Sequence, residues 1–68
     1  MKNSFPERLK ELRAEKKLTL PQLAQKTNLP YSSLQQWESG ERHAAYPAVI
    51  ALAAFYGVTT DYILGITD

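Results

Sequence analysis

Cysteine is absent from the 68-residue chain, which removes both a disulfide framework and a thiolate metal site as sources of stability. Glycine occurs three times, and Gly40, Gly57 and Gly65 each stand where a helical pattern stops, so none is left to build a phosphate-cradling loop. A single histidine, His43, has no second metal ligand near it in sequence, and neither paired carboxylates at useful spacing nor a Ser-His-Asp order is present. These absences argue against an enzyme, a cofactor and a small-molecule substrate. The longest apolar stretch, Ala44 to Tyr56, is interrupted by Pro47 and falls short of the roughly 20 residues a membrane span needs. Met1-Lys2-Asn3-Ser4 leads into a charged segment rather than an apolar one, which predicts no secretory leader and a cytoplasmic location.

Net charge is also scarce, at +1, but it is unevenly placed. Residues 1–30 hold seven Lys and Arg against three Glu, whereas residues 31–68 hold Arg42 against Glu38, Glu41, Asp61 and Asp68. A domain polarised in this way can present a basic face to a polyanion while staying nearly neutral. A solvated, mixed-charge first helix accounts for the same numbers.

What is present is the composition of a globular domain, 44% apolar and 22% charged, with helical periodicity and no strand alternation. Phe5, Leu9 and Leu12 recur at helical spacing behind Ser4, predicting a helix over about 5–17 that ends on Lys16-Lys17. Thr19-Leu20-Pro21-Gln22 reads as a capping box opening a helix over about 20–27, which stops at Asn28. Pro30 restarts the chain for a third helix over about 30–38 with Leu34 and Trp37 inward. A fourth helix follows over about 46–56, and a short fifth, capped by Thr59 or Thr60, covers about 61–64. The expected architecture is all-α, a compact five-helix bundle forming a single domain over 1–68. A chain this short must draw its core from these few elements, with no room for a separate sensor.

Helices two and three, joined by about three residues, match a helix-turn-helix, in which the second helix enters the major groove of DNA. Tyr31, Ser32, Gln35 and Gln36 lie away from Leu34 and Trp37, and a glutamine amide can both donate to and accept from the adenine edge. A merely solvated polar face would look the same.

The segments FPERLKELR, LTLPQLAQK, YSSLQQWESG and GVTTDYILG together resemble the lambda repressor and Cro-like helix-turn-helix domains of bacteria and phages over nearly the whole chain. That resemblance implies base contacts from Tyr31, Ser32 and Gln36, with Gln35 beside them, and phosphate contacts from Thr19, Leu20, Arg42 and His43. Many relatives carry glutamine where this chain has Leu20, and Pro21 removes a backbone amide, so the phosphate contact at the second helix should be weakened. The resemblance also implies a buried salt bridge between Arg13 and Glu38.

The fourth helix carries no charged side chain from Pro47 to Tyr56. Val49, Ile50, Leu52, Ala53 and Tyr56 can fill a core, leaving Ala48, Ala51 and Phe55 outward. Together with Ile66 these form a candidate surface for a homodimer on double-stranded DNA, although an alanine-rich surface favoured for helix propensity needs no partner. Two function classes follow. One is a sequence-specific DNA-binding transcriptional regulator, a repressor reading a palindromic operator as a dimer. The other is an antitoxin-like or similar module of the same fold whose main partner is a protein.

Overall fold

The computed structural model describes residues 4–66 and contains five helices: α1 Phe5–Glu15, α2 Leu20–Thr27, α3 Tyr31–Ser39, α4 Tyr46–Tyr56 and α5 Thr60–Ile63. The leader reading of Met1–Asn3 and the charges of Lys2 and Asp68 fall outside the described residues.

Local chemistry sets most of the boundaries. Ser4 caps α1 by accepting from the Glu7 N–H, and Thr59 caps α5 by accepting from the Tyr62 N–H at 3.0 Å. At α2 the box is reciprocal: Thr19 Oγ1 accepts from the Gln22 N–H at 3.3 Å, and Gln22 Oε1 accepts from the Thr19 N–H at 2.9 Å. Pro30 does not open α3 from inside. Its ψ of 136° is extended, so it caps the helix from outside and α3 begins at Tyr31.

The ends of α1, α3 and α4 share one device. Gly57 N–H donates to Ala54 O and Val58 N–H to Ala53 O, the paired bonds of a Schellman closure with the left-handed residue at Gly57. Gly40 and Glu41 close α3 in the same pattern onto Trp37 O and Gln36 O. At α1 the Lys17 N–H donates to Ala14 O and the Leu18 N–H to Arg13 O, so the left-handed residue there is Lys17, with φ of 56°. This turn stops α1 at Glu15, two residues before the end predicted from the Lys16-Lys17 charge signal.

A lysine in a conformation that suits glycine is strained. Lys17→Gly is therefore expected to stabilise the fold by about 0.5–1 kcal/mol, read as a rise in the chemical-denaturation midpoint with an unchanged m-value.

The core is assembled by one side chain from each helix. Leu9, Leu23, Leu34, Leu52 and Ile63 are all essentially inaccessible, and Leu12, Trp37, Val49, Ala53 and Tyr56 surround them. Burying each such aliphatic side chain contributes roughly 1.5–3 kcal/mol. α1 and α2 both pack on α3, α4 packs on α5 and α2, and α1 reaches α5. Every helix thus has a neighbour to cover its apolar side, and α3 is braced from two directions.

The orientation of α4 differs from the expected one. Ile50 is 46% exposed, and Tyr46, Pro47 and Ala54 are exposed on the same side. Ala48, Ala51 and Phe55 are half-buried, with Ala48 and Phe55 packed against the core. Lys16 Nζ also lies 5.8 Å from the centroid of the Phe55 ring. An apolar helix has no amphipathic face to fix its rotation from sequence, and the neighbours α2 and α5 chose the face instead.

Candidate nucleic-acid interface

α2 and α3 are separated by Asn28, Leu29 and Pro30, with Asn28 in the left-handed conformation at φ 60°. Leu23 and Leu34 bury the inner faces of the two helices against each other and the rest of the core. That packing fixes the outer face of α3. Tyr31, Ser32 and Gln35 are exposed on it, and Gln36 is half-buried beside them. Tyr31, Gln35 and Ser39 form an i, i+4, i+8 stripe. The Ser39 hydroxyl is occupied, donating to Gln36 O at 3.0 Å and to Glu41 Oε1 at 3.2 Å, so the α3 side chains open to a partner are those nearer its start.

No side chain caps α3, so the amides of its first turn face outward with the positive end of the helix dipole. The start of α2 is more restricted. The Thr19 and Gln22 amides are consumed by the capping box and Pro21 has none, leaving the Leu20 N–H and the Thr19 hydroxyl proton as donors. The Leu20 side chain turns into the core and offers the surface nothing polar.

Beyond α3, Arg42 and His43 are both exposed in the loop to α4. The loop is shaped by the Gln36 carbonyl, which accepts from the Glu41 N–H at 3.0 Å and the Arg42 N–H at 3.4 Å. Glu41, which precedes Arg42 in the chain, accepts from the Ser39 hydroxyl at 3.2 Å. Ile66 is exposed in the segment after α5, and Tyr46 joins Ile50 as the large apolar exposure of α4.

Arg13 and Glu38 tie α1 to the last turn of α3. Arg13 Nε donates to Glu38 Oε2 at 2.8 Å and Nη2 to Oε1 at 3.0 Å, a bidentate pair, while Nη1 donates to Leu18 O at 2.9 Å. The Glu38 side chain is 5% exposed, against 25% for Arg13. Hydrogen bonding to Glu38 raises the guanidinium pKa further above its ordinary value, so this charge is present at any pH at which the protein would be handled.

The Tyr56 hydroxyl sits near the same pair. It is buried with no hydrogen-bond partner among the described residues, and burial, reinforced by the Glu38 carboxylate and opposed by Arg13, pushes the phenol up to about 12. A buried hydroxyl without a partner costs roughly 1–3 kcal/mol. Tyr56→Phe should therefore leave the melting temperature unchanged or raise it. The two proteins should then diverge in alkali. Both states keep the phenol protonated below pH 10, but between pH 10 and 12 only the unfolded state ionises. Wild-type stability should fall there relative to Tyr56→Phe, by up to about 3 kcal/mol, as measured by denaturation across that range.

Sequence reasoning missed Arg8, which is 4% exposed with its guanidinium 4.0 Å from the centroid of the Tyr62 ring. The signal was available in spacing, since Arg8 lies one turn before Leu12 on the inner side of α1. Arg8 and Arg13 are thus directed into the fold, and the basic excess of the first half that reaches solvent is carried by Lys10, Lys16, Lys17 and Lys26. Among the described residues no cluster of three His, Asp or Glu could hold a metal ion, and no helix is long and apolar enough to cross a membrane.

A helix-turn-helix family model matches residues 9–63. Among curated proteins, the chain is 40% identical over 64 residues to the uncharacterised HTH-type transcriptional regulator YobD of Bacillus subtilis, covering 94% of this chain and 57% of that protein. It is 33% identical over 60 residues to the HTH-type transcriptional activator BcrR of Enterococcus faecalis, covering 88% of this chain and 29% of that one. The chain therefore spans a little over half of the first relative and under a third of the second. No solved structure matches.

Proposed function

Because the chain belongs to the helix-turn-helix family of the Cro/repressor type, with a five-helix lambda repressor-like fold, we propose that it is a sequence-specific, double-stranded DNA-binding transcriptional regulator. The observation that carries the reading is the face of α3: Tyr31, Ser32 and Gln35 exposed and Gln36 at their edge, on a helix whose opposite side is locked by Leu34 and Trp37. In this reading α3 lies in the major groove, and Gln35 and Gln36 read base edges with Tyr31 and Ser32. Thr19, the Leu20 amide, Arg42 and His43 hold the phosphates on either side.

Two copies would read the half-sites of a palindrome about one helical turn apart, and repression would follow from excluding polymerase. The exposed apolar residues Tyr46 and Ile50 of α4 give the second copy a surface, with Ala48, Ala51 and Phe55 half-buried beside them. The same residues favour the second reading, a protein partner at that face. The two separate under substitution, since Ile50→Glu impairs DNA binding through assembly in the first and abolishes only a protein contact in the second.

Selection of bound sites from a random duplex library tests the proposal, because it returns the half-site, its spacing and its symmetry together. Recovery of no preferred sequence would sink it. Affinity for the selected duplex should also fall as salt rises, with a shallow slope because few cations flank α3. Fluorescence anisotropy at several salt concentrations measures that slope, and salt-independent binding would contradict the model.

A further inference from the structure

A pocket of about 370 Å³ opens where the start of α1, the α3–α4 loop and the segment after α5 meet. At the volume of liquid water this is room for about a dozen waters, the size range of small-ligand sites. Its apolar walls are Phe5, Pro6, Ala44, Val49 and Leu64, and Arg42 and His43 also line it. Among the described residues no acidic side chain lines it. The Ser4 hydroxyl is already engaged, donating to Glu7 Oε1 at 2.9 Å.

Apolar walls favour a hydrocarbon or aryl body, and the Arg42 guanidinium supplies a planar pair of donors for an anion. We infer that this pocket binds a small apolar carboxylic acid, its ring or chain against Phe5, Val49 and Leu64 and its carboxylate on Arg42. Arg42 is also a phosphate contact in the reading above, so an occupied pocket withdraws a cation from DNA. Coupling to DNA rests on that reading, whereas occupancy of the pocket does not.

Benzoate is a suitable probe, with benzyl alcohol as its neutral counterpart and ionic strength held constant with chloride. A nine-atom ligand of this kind should bind with a dissociation constant of about a millimolar. Titration followed by amide chemical shifts should move Phe5, Ala44 and Leu64. Benzoate should bind at least about fivefold more tightly than benzyl alcohol. Arg42→Gln, on an exposed loop, should remove that difference, and Ala44→Leu, which fills the pocket and leaves Arg42 in place, should abolish the shifts.

Saturating benzoate should then weaken binding of the selected duplex by about threefold or more, and should leave the Arg42→Gln protein's DNA affinity unchanged. Equal binding of the acid and the alcohol, or shifts scattered away from the pocket, would overturn the assignment. Benzoate in the pocket with no effect on a duplex that does bind would overturn the coupling. If no duplex is selected at all, the DNA-binding reading fails while the benzoate titration still decides the pocket.

Discussion

Arg13→Met is expected to lower the unfolding free energy by about 3–5 kcal/mol. The reason lies with the partner left behind. Glu38 has a side chain that is 5% exposed and takes both of its strong hydrogen bonds from Arg13, so methionine strands a carboxylate in the interior. The Leu18 carbonyl loses a donor at the same time. A domain of this size has a total stability of only about 3–10 kcal/mol, so the variant should be partly or wholly unfolded at 37 °C.

A second substitution separates the loss of a bond from the burial of a charge. Arg13→Met with Glu38→Leu removes both partners and should recover much of the stability, since apolar replacements of a buried pair are often neutral or better. Thermal and chemical denaturation of the four proteins closes the cycle. An unchanged melting temperature in Arg13→Met would mean that the pair is absent in solution.

The other large effect falls on DNA and leaves the fold intact. On the proposed reading, Gln36→Ala should reduce discrimination between the selected duplex and random DNA by roughly 5- to 150-fold, the loss of one bidentate amide–base contact at about 1–3 kcal/mol. Tyr31→Ala should act in the same direction. Neither side chain is bonded to another part of the described protein, and alanine is a good helix former, so the circular dichroism and melting temperature should hold. Affinity for random DNA should barely change, because phosphate contacts supply it. Equal losses on both duplexes would place these residues outside base recognition, and no loss on either would favour the protein-partner reading.

The features legible in sequence were those fixed over a few residues. Ser4, Thr19 and Thr59 cap their helices because each hydroxyl bonds an amide three positions on, and Gly40 and Gly57 end theirs because the left-handed conformation is cheapest without a Cβ. Leu9, Leu34 and Trp37 point inward at the spacing that predicted it. The outward residues of α3 followed from the same periodicity, with only the half-buried state of Gln36 left to the packing. The end of α1 was misjudged because two lysines match the helix dipole equally well inside the last turn or just beyond it, and the Lys17 backbone decided.

The sequence by itself therefore determined the number, order and most boundaries of the helices, and with them the α2–turn–α3 unit, since caps, closures and hydrophobic period act over one or two turns. Tertiary structure decided where the charge and the exposed apolar surface lie. The basic excess of the first half could have formed an outer face, but Arg8 found the Tyr62 ring and Arg13 the Glu38 carboxylate, contacts between residues far apart in the chain. α4, apolar on every side, could have buried Ile50, yet only the volume left between α2 and α5 could select which of its faces went in.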